Sequence, residues 1–429
     1  MSRSTTAPTP LSLPSSAPAS ARAVFGLLRG LRTGTLDLQL PDGTQLHFGS
    51  GAEHEPAAPL HGRMPAGAAR RPAAEPRGAM RLRNWRVCSA ALRSGDIGFA
   101  ESFIDEDWST PDLVALLKVF IANRDAVETA IYGSWWGSLL YRAKHLLNRN
   151  SRRGSRKNIH AHYDLGNAFY KLWLDETMSY SAAWFEGNPQ GDLAQAQSAK
   201  VRRALQECRI QPGQRLLEIG CGWGGLAEYA TKHFDARVTG VTLSTEQLAF
   251  AQERLGAQGL AHKADLRLQD YRDLADGPYD AIASIEMFEA VGREYWPGFF
   301  AQLRTLLKPG GRACLQTITI RDDLFERYAR STDFIQQYIF PGGLLPSAQA
   351  FREQAEAAGL RIVNELRFGE DYAETLRRWR VRFLAEEAAV RRLRFDGRFL
   401  RIWEFYLAYC EAAFATGNTD VMQFTLEKP

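Results

Sequence analysis

A glycine-rich segment near the middle of the chain has the residue types that a nucleotide-like ligand needs. The apolar run Leu216–Ile219 contains Glu218 and is followed by Gly220, Gly222 and Gly224. Glycine lets the backbone turn tightly and approach a ligand closely, because it has no side chain. The spacing is GxGxG after an acidic residue, not the GxGxxG of dinucleotide-binding loops. A strand before these glycines and a helix after them favour a ligand-binding turn over a chance match.

Two polar residues follow the next apolar segment. Thr242 and Gln247 lie between a second predicted strand and the helix after it. Many nucleotide-binding folds place a carboxylate here to bind the ribose hydroxyls, so Thr242 and Gln247 are the polar candidates in this chain. Taken alone, these two residues favour the ordinary alternative, which is helix capping and surface hydration.

Composition narrows the class of protein. The chain has 429 residues, 45% of them hydrophobic and 24% charged, which suits one large or two medium domains with a buried core. No apolar run approaches the ~20 residues of a membrane-spanning helix, and the N-terminus lacks the pattern of a signal peptide. The five cysteines show neither a CxxC pair nor zinc spacing. We therefore expect a cytoplasmic protein with reduced thiols and no bound metal.

The charge of the chain is unevenly distributed. The net charge of +4 is too small to indicate a nucleic-acid partner. However, the stretch between Glu128 and Asp164 contains no acidic residue, seven basic ones and the pair Trp135–Trp136. Such a segment could rest on anionic lipid headgroups at about 1 kcal/mol per basic residue. A solvated helix and linker explains the same residues equally well, and both interpretations stay open.

Local composition divides the chain. Residues 1–21 are rich in Ser, Thr, Pro and Ala and predict a disordered tail, and residues 49–79 predict a mobile insert. The insert interrupts a small α+β N-terminal domain, residues 22–125, and a basic helical connector follows over residues 126–157. Residues 158–429 form the remaining, larger domain.

Within the N-terminal domain, Thr35–Leu40 and Gln45–Phe48 flank a Pro-Asp-Gly-Thr turn and predict a β-hairpin. Ser109–Asp112 predicts a helix start with Pro111 at an early helical position.

Strands and helices alternate in the larger domain, which predicts an α/β fold with a doubly wound parallel sheet. The predicted strands are Arg215–Gly220, Arg237–Thr242, Leu266–Gln269, Tyr279–Ile285 and Arg312–Ile320. The predicted helices between them are Gly224–His233, Thr245–Gln258 and Tyr295–Leu307. Tyr372–Phe414 is predicted as one long helical stretch rich in arginine and aromatic residues.

Several segments together resemble the cyclopropane fatty acid synthase family, which includes the mycolic acid cyclopropane synthases. They are His160–Asn167, Met178–Ser181, Glu218–Gly225, Thr242–Gln247, Asp270–Asp273, Met287–Glu289 and Tyr338–Ser347. The resemblance covers the chain from about residue 158 onward, and Leu92–Trp108 is similar to the family's N-terminal domain. It implies a Rossmann-like class I methyltransferase core, an N-terminal lipid-docking domain and the cofactor S-adenosylmethionine.

The resemblance also assigns roles to residues. Tyr180, Ser181, Glu218 and the three glycines, Thr242 and Gln247 would bind S-adenosylmethionine, and Asp270 and Tyr271 would lie near its adenine. The family's reaction adds the sulfonium methyl to a cis double bond of an unsaturated phospholipid acyl chain and leaves a carbocation. Aromatic faces stabilise a cation by about 2 kcal/mol or more in a dry pocket. The aromatic candidates, at most half of which are expected to touch the substrate, are Trp173, Tyr180, Trp184, Phe185, Phe288, Tyr338 and Phe340.

A base must then remove a proton, and in this family a bound bicarbonate is thought to do so. Glu289, Ile318 and Tyr372 match three of the residues that bind it. Ala182 stands where the family has Cys, and Gln316 stands where it has His. A glutamine donates a hydrogen bond but cannot carry a positive charge or shuttle a proton. The sequence therefore puts the bicarbonate site in doubt.

Glu286 offers another base. It lies three residues before Glu289, near the end of the fourth predicted strand, where ligands bind in such folds. Two carboxyl groups in an apolar pocket raise the pKa of one of them, and one could serve directly as the base. The alternative is that Glu286 only hydrogen-bonds a neighbouring loop.

The sequence favours a cyclopropane product but leaves others open. Loss of a neighbouring proton would give a methylene branch, and a reductase partner could convert that to a methyl branch. A lipid-binding module without catalysis is the alternative from another class. Cys410 matches a cysteine proposed as catalytic in the family, although a helical packing role is favoured. A homodimer is left open.

Overall fold

The computed structural model describes residues 14–49, 75–127 and 165–429. They belong to two compact units, Met1–Ser138 and Leu139–Pro429. Most of the predicted tail, most of the insert and nearly all of the basic connector, with Trp135–Trp136, lie outside the described residues. No helix among the described residues has the length and apolar character needed to cross a membrane.

The N-terminal unit contains a four-stranded sheet, in the order β2-β1-β3-β4. Its elements are α1 (Ala19–Leu28), β1 (Thr35–Gln39), β2 (Gln45–Gly49), β3 (Arg77–Leu82), α2 (Arg86–Ile104), β4 (Trp108–Ser109) and α3 (Leu113–Ala122). β1 and β2 pair antiparallel, which confirms the predicted hairpin. α3 packs closely on β3 at Gly78, where a Cβ atom would lie 3.1 Å from Leu116.

Three boundaries in this unit correct the sequence prediction. α1 begins at Ala19, inside the predicted tail, and β3 begins at Arg77, inside the predicted insert. Pro111 lies before the helix, because Asp112 is the N-cap of α3 and its side chain accepts a hydrogen bond from the Ala115 N–H at 3.0 Å.

The C-terminal unit is built on a seven-stranded sheet in the order β10-β11-β9-β8-β5-β6-β7. The five strands from β9 to β7 are parallel, and β11 runs antiparallel to both of its neighbours. The strands are β5 (Arg215–Ile219), β6 (Arg237–Thr242), β7 (Ala264–Leu268), β8 (Tyr279–Ile285), β9 (Leu307–Ile320), β10 (Arg361–Arg367) and β11 (Thr419–Glu427). The doubly wound α/β prediction is confirmed, but β10 and β11 were not predicted from the sequence.

Helices cover both faces of this sheet. They are α4 (Asn167–Tyr170), α5 (Leu193–Glu207), α6 (Gly225–His233), α7 (Thr245–Ala257), α8 (Trp296–Leu306), α9 (Asp322–Tyr328), α10 (Phe334–Tyr338), α11 (Ala348–Ala357), α12 (Gly369–Ala385), α13 (Glu387–Arg392) and α14 (Gly397–Ala415). Neighbouring residues of β5 point to opposite faces, as strand geometry requires. Leu216 packs with Leu226 and Ala251 on one side, and Leu217 packs with Phe299 on the other.

The long helical stretch predicted over Tyr372–Phe414 is three helices. The chain turns after α13, where Arg394 has a φ of +70°. Asp396 then starts a new helix, because its carboxylate caps the Phe399 N–H at 2.8 Å.

The order of the sheet reverses between β5 and β8, since β6 and β7 lie on one side and β9 on the other. Ligands of doubly wound folds bind at such a switch point, beyond the carboxyl ends of the strands. The residues that follow β5, β6, β7 and β8 therefore meet at one edge of the sheet.

Candidate active site

The glycine turn after β5 leaves open space at one position. Gly220, Gly222 and Gly224 have φ angles of +86°, +49° and +80°. A Cβ atom at Gly220 would lie 2.9 Å from Met287, and one at Gly224 would lie 2.9 Å from Ala251, so these two glycines are needed for packing. A Cβ atom at Gly222 would meet nothing within 4 Å. The turn therefore offers a ligand access at Gly222.

A polar atom without a partner lies beneath this turn. Glu218 is buried, and its Oε2 atom has no hydrogen-bond partner. Burial raises the pKa of this carboxyl group well above its usual range. An ammonium group or an ordered water would satisfy the free oxygen. The glycine turn and Glu218 thus fit the amino acid part of S-adenosylmethionine, which carries an ammonium group.

Thr242 and Gln247 are not surface residues. Both are buried, and Thr242 Oγ1 lies 3.2 Å from Gln247 Oε1. The N-cap of α7 is Ser244, whose hydroxyl accepts a hydrogen bond from the Gln247 N–H at 3.3 Å. The alternative of capping and surface hydration is therefore wrong for both side chains.

Asp270 and Tyr271 follow β7 at the same edge of the sheet. Asp270 is buried and forms an ion pair with Arg272 at 2.6 Å. Tyr271 is half-buried, and its ring lies edge-on to Phe299 at 5.3 Å. Burial raises the pKa of Tyr271 to about 12, so its hydroxyl is neutral and can donate a hydrogen bond.

Aromatic rings surround Tyr180. Its ring centroid lies 5.4 Å from that of Trp173 and 6.3 Å from that of Phe340, both predicted candidates. Trp379 lies at 5.5 Å, and the Tyr406 hydroxyl lies 2.7 Å from the Tyr180 hydroxyl. Trp379 and Tyr406 were not predicted from the sequence, although Trp379 follows Tyr372 by seven residues, which places both on one face of α12.

The other aromatic candidates have different surroundings. Phe288 is 1% exposed and packs in the core, with its ring 5.0 Å from that of Phe299. Three more contact a cation or another ring, namely Phe185 beside Arg378, Trp184 beside Arg203 and Tyr338 beside Phe334. Core packing therefore explains part of the set, as expected.

Glu286 lies at the centre of a set of hydrogen-bond donors. Its Oε1 atom accepts hydrogen bonds from the Ala182 N–H at 2.8 Å and from Gln316 Nε2 at 2.7 Å. Its Oε2 atom accepts one from the Tyr372 hydroxyl at 2.8 Å. The Glu286 backbone has a φ of +49°, a conformation that costs energy for a residue with a side chain. Strained backbone of this kind is concentrated at functional sites.

Two opposing effects act on the acidity of Glu286. Burial of the carboxyl group is the larger effect and raises its pKa, while the positive charge of Lys200 and the three hydrogen bonds lower it. Lys200 is 1% exposed, and its ammonium group donates to the hydroxyl of Ser181. Burial lowers the pKa of Lys200 to about 8. Lys200 was not predicted from the sequence, since nothing in α5 distinguishes it from an ordinary helix lysine.

Glu289 forms the second buried carboxyl group. Its Oε1 atom accepts hydrogen bonds from the Thr317 hydroxyl at 3.0 Å and from the Ile318 N–H, while its Oε2 atom is buried without a partner. Burial, and then the charge of Glu286, raise its pKa to about 8. At neutral pH, Glu289 is therefore mainly protonated.

The hydrogen-bond donors expected to bind bicarbonate donate instead to the carboxyl groups of Glu286 and Glu289. Ala182, Gln316 and Tyr372, which stand at the Cys, His and Tyr positions of the resemblance, all donate to Glu286. The Ile318 N–H donates to Glu289. The residues present therefore do not fit a separate bicarbonate ion, because a carboxylate of the chain occupies its donors.

A series of buried side-chain hydrogen bonds, from Arg203 through Gln423, fixes the orientation of the Gln316 amide. Arg203, which can only donate, contacts Gln423 Oε1 at 2.6 Å. Gln423 Nε2 must then point the other way, and it donates to Gln316 Oε1 at 3.0 Å. As a result, Gln316 Nε2 faces Glu286. Arg203 and Gln423 were missed because they are 220 residues apart in sequence.

Cys410 does not have the environment of a nucleophile. Burial raises the pKa of its thiol, so the thiolate is not formed near neutral pH. The structure therefore favours the packing role over the catalytic one.

The chain is similar to proteins that act on lipids. The family described as "Mycolic acid cyclopropane synthetase" matches residues 150–424. The tuberculostearic acid methyltransferase UfaA1 of Mycobacterium tuberculosis is 42% identical over 342 residues, which cover 78% of this chain and 79% of that protein. The cyclopropane-fatty-acyl-phospholipid synthase of Escherichia coli K12 is 34% identical over 352 residues, covering 81% and 87%.

Solved structures agree with this similarity. The mycolic acid cyclopropane synthase CmaA1, complexed with SAH and CTAB, superposes with a TM-score of 0.60 at 34% identity. The match covers 64% of this chain and 98% of that one. The cyclopropane synthase MmaA2 from Mycobacterium tuberculosis has the same TM-score at 32% identity.

Proposed function

Because the chain belongs to the mycolic acid cyclopropane synthetase family of S-adenosylmethionine-dependent methyltransferases, we propose that it methylates a cis double bond of an unsaturated phospholipid acyl chain. The observation that carries this proposal is the Glu286–Tyr372 pair at the end of β8. β8 lies next to β5, which leads into the glycine turn. The reaction needs a base near the methyl donor, and the buried carboxylate of Glu286 lies at the strand end next to the glycine turn.

S-adenosylmethionine, when bound, supplies an electrophilic methyl group. Gly222 and Glu218 would bind its amino acid part, and Thr242 and Gln247 its ribose. Asp270 and Tyr271 would lie near the adenine, and Tyr180 and Ser181 near the methyl group. An alkene is a weak nucleophile, so these contacts must orient the donor against the double bond.

The aromatic cluster around Tyr180 suits the next state of the substrate. Methyl addition uses the π electrons of the double bond and leaves the neighbouring carbon positively charged. Trp173, Tyr180, Trp379 and Phe340 present aromatic rings, each able to stabilise a nearby cation by about 2 kcal/mol or more where water is excluded. An apolar wall also suits an acyl chain, which has no polar group to bind.

Glu286 is the proposed base. Its carboxylate takes one proton from the added methyl group, and the electron pair of that C–H bond closes the ring onto the cationic carbon. The Tyr372 hydroxyl and the Ala182 N–H position the carboxylate for this transfer. Glu289, with its pKa near 8, stays mainly neutral and does not add a second negative charge beside Glu286.

A methylene-branched product is the second candidate. In this route the hydrogen of the methyl-bearing carbon moves with its electron pair to the cationic carbon, which transfers the positive charge to the methyl-bearing carbon. Loss of a proton from the added methyl group to Glu286 then leaves a methylene branch. The 42% identity with the tuberculostearic acid methyltransferase, against 34% with the E. coli cyclopropane synthase, favours this route. A methyl branch would further need a reductase partner to add hydride and a proton. That partner, a homodimer and lipid docking by residues 22–125 remain predictions.

Lipid mass spectrometry tests the proposal. The full chain is expressed in a host whose phospholipids contain cis double bonds and which lacks its own cyclopropane synthase. We expect new acyl chains heavier by one CH2 unit. Mild hydrogenation then distinguishes the products, because a methylene group takes up two hydrogens and a cyclopropane ring does not.

A catalytically silent lipid-binding protein is the remaining alternative. Binding of S-adenosylmethionine by the purified chain, measured by calorimetry, argues against it. A folded chain that binds S-adenosylmethionine, yet gives no heavier acyl chain in any unsaturated host, would refute the proposed substrate.

A further inference from the structure

One end of α12 carries an unusual group of exposed apolar side chains. Four large hydrophobic residues are exposed among those that the structure describes. Three of these fall within thirteen residues of the sequence, Val381 at 52%, Leu384 at 39% and Leu393 at 38% exposure. We call the exposed surface of residues 381–394, on the end of α12 and on α13, the α12–α13 tip.

The tip lies in the most arginine-rich part of the unit. Residues 376–401 contain nine arginines against two glutamates and one aspartate, a net charge of +6. The whole chain has a net charge of only +4, so the rest of it is slightly acidic. Positive charge is therefore concentrated around these exposed apolar residues.

Part of this charge has no acidic partner. Arg377 and Arg378 pair with Glu374, Arg380 pairs with Glu411, and Arg391 pairs with Glu387. Arg382, Arg392 and Arg394 are exposed, and none of the three has an ion pair among the residues 165–429 described in this unit. In the sequence, Arg382 directly follows Val381, and Arg392 and Arg394 flank Leu393.

The tip is connected to the active site by α12 and by aromatic packing. Tyr372 and Leu384 are twelve residues apart on this helix, which corresponds to about 18 Å. One leaflet of a bilayer has acyl chains of about 15 Å, half of the hydrocarbon thickness. A row of aromatic rings also leads from the tip to the active site. The ring centroid of Phe395, next to the tip, lies 5.3 Å from that of Phe169. Trp173 lies 5.9 Å from Phe169 and 5.4 Å from Tyr180.

We propose that the α12–α13 tip docks on the surface of membranes that contain anionic phospholipids. Val381, Leu384 and Leu393 enter the interface, and Arg382, Arg392 and Arg394 contact lipid phosphates. Apolar side chains flanked by unpaired cations are the composition of interfacial membrane-binding segments. With the headgroup at the tip, the middle of the acyl chain lies within reach of Tyr372.

A second copy of the chain is the other occupant to consider for this surface. If the tips of two copies faced one another, two positively charged surfaces would meet, and like charges across an interface oppose association. Charge complementarity therefore favours an anionic lipid surface over self-association.

Vesicle co-sedimentation of the full chain tests the proposal. We expect binding to phosphatidylglycerol vesicles, little binding to pure phosphatidylcholine vesicles, and weaker binding at about 0.5 M salt. Combined Arg382→Glu, Arg392→Glu and Arg394→Glu substitutions should weaken binding about a hundredfold or more. The matched control changes Arg209, Lys232 and Arg304 to Glu, which alters the net charge equally at exposed positions outside the tip.

A second variant tests the apolar part. Val381→Ser, Leu384→Ser and Leu393→Ser together should reduce vesicle binding while leaving S-adenosylmethionine binding unchanged. The proposal is overturned if the tip and control variants lose binding equally, or if neither loses it. It is also overturned if the serine variant changes the oligomeric state in light scattering and vesicle binding persists. Binding is measured without turnover, so its failure is distinct from failure of the proposed methyl transfer.

Discussion

The hydroxyl of Tyr372 donates a 2.8 Å hydrogen bond to the carboxylate of Glu286, although the two residues are 86 positions apart. Glu286 directly follows β8 at the switch point of the sheet, and Tyr372 lies in the first turn of α12. Because Ala182 and Gln316 donate to the same carboxylate, its position is set from three sides. This arrangement suits a general base, because the three hydrogen bonds fix the carboxylate in one position beside the proposed carbocation.

Replacing Glu286 by glutamine should abolish the base while keeping its size. We expect formation of the modified acyl chain to fall about a hundredfold or more, since general bases contribute that much. Binding of S-adenosylmethionine should be retained, because the hydrogen bonds of the Glu286 side chain go to Ala182, Gln316 and Tyr372 and not to the glycine turn. Single-turnover assays with unsaturated lipid vesicles measure this, and Glu253→Gln, at an exposed position on α7, is the control. A Glu286→Gln variant with the wild-type rate would remove Glu286 from the mechanism.

Bicarbonate should not be needed by the wild-type protein. We expect the same rate in buffer purged of carbon dioxide as in buffer with added bicarbonate, because Glu286 already occupies the donors. Glu286→Gly frees those donors, and glycine tolerates the φ of +49° at this position. This variant should be nearly inactive until bicarbonate is added. A wild-type rate that rises with bicarbonate would contradict the replacement of the ion by Glu286.

The raised pKa of Glu289 should make the free energy of unfolding decrease as pH rises. Its pKa is raised from 4.5 to about 8 in the folded state, so the folded chain binds more protons than the unfolded chain between these values. Stability decreases with pH under that condition, so the Glu289 contribution is complete below the unfolded pKa and lost as pH rises through about 8. Glu289→Gln should flatten this slope in urea unfolding measured at several pH values. An unchanged slope would mean that Glu289 is ionised in the fold.

The features that depend only on a short segment of the chain could be predicted from the sequence. The glycine turn, the strands from β5 to β8 and the position of Glu286 at a strand end all follow from short segments with a clear pattern. β10 was missed because it is a polar, largely exposed edge strand, and β11 because it is buried on both faces and shows no alternation.

Long-range polar contacts could not be predicted. Lys200, Arg203 and Gln423 have ordinary helix and strand neighbours in the sequence, and only the packing of α5 against the sheet brings them near Gln316 and Glu286. Their role depends on burial, which removes water and leaves the protein groups to satisfy one another. Single-sequence patterns do not contain that information.

Lys200 should control the protonation of Glu286. Removing the ammonium group in Lys200→Met takes away the charge that favours the ionised carboxylate, so the pKa of Glu286 should rise. The acid limb of the pH–rate profile should then move to higher pH. Lys232→Met, at an exposed position, is the control, and an acid limb that stays in place would exclude this role.

Gly222 and Gly224 should respond differently to alanine. At Gly224 a Cβ atom would lie 2.9 Å from that of Ala251, so Gly224→Ala should mainly lower the free energy of unfolding, by about 1–3 kcal/mol. At Gly222 a Cβ atom meets no protein atom within 4 Å and instead enters the space proposed for the ligand. Gly222→Ala should therefore weaken S-adenosylmethionine binding more than it lowers stability, although both glycines have positive φ angles. Calorimetric titration and urea unfolding measure the two effects separately. Equal losses of affinity and stability in both variants would show that the open side of the turn does not face the ligand.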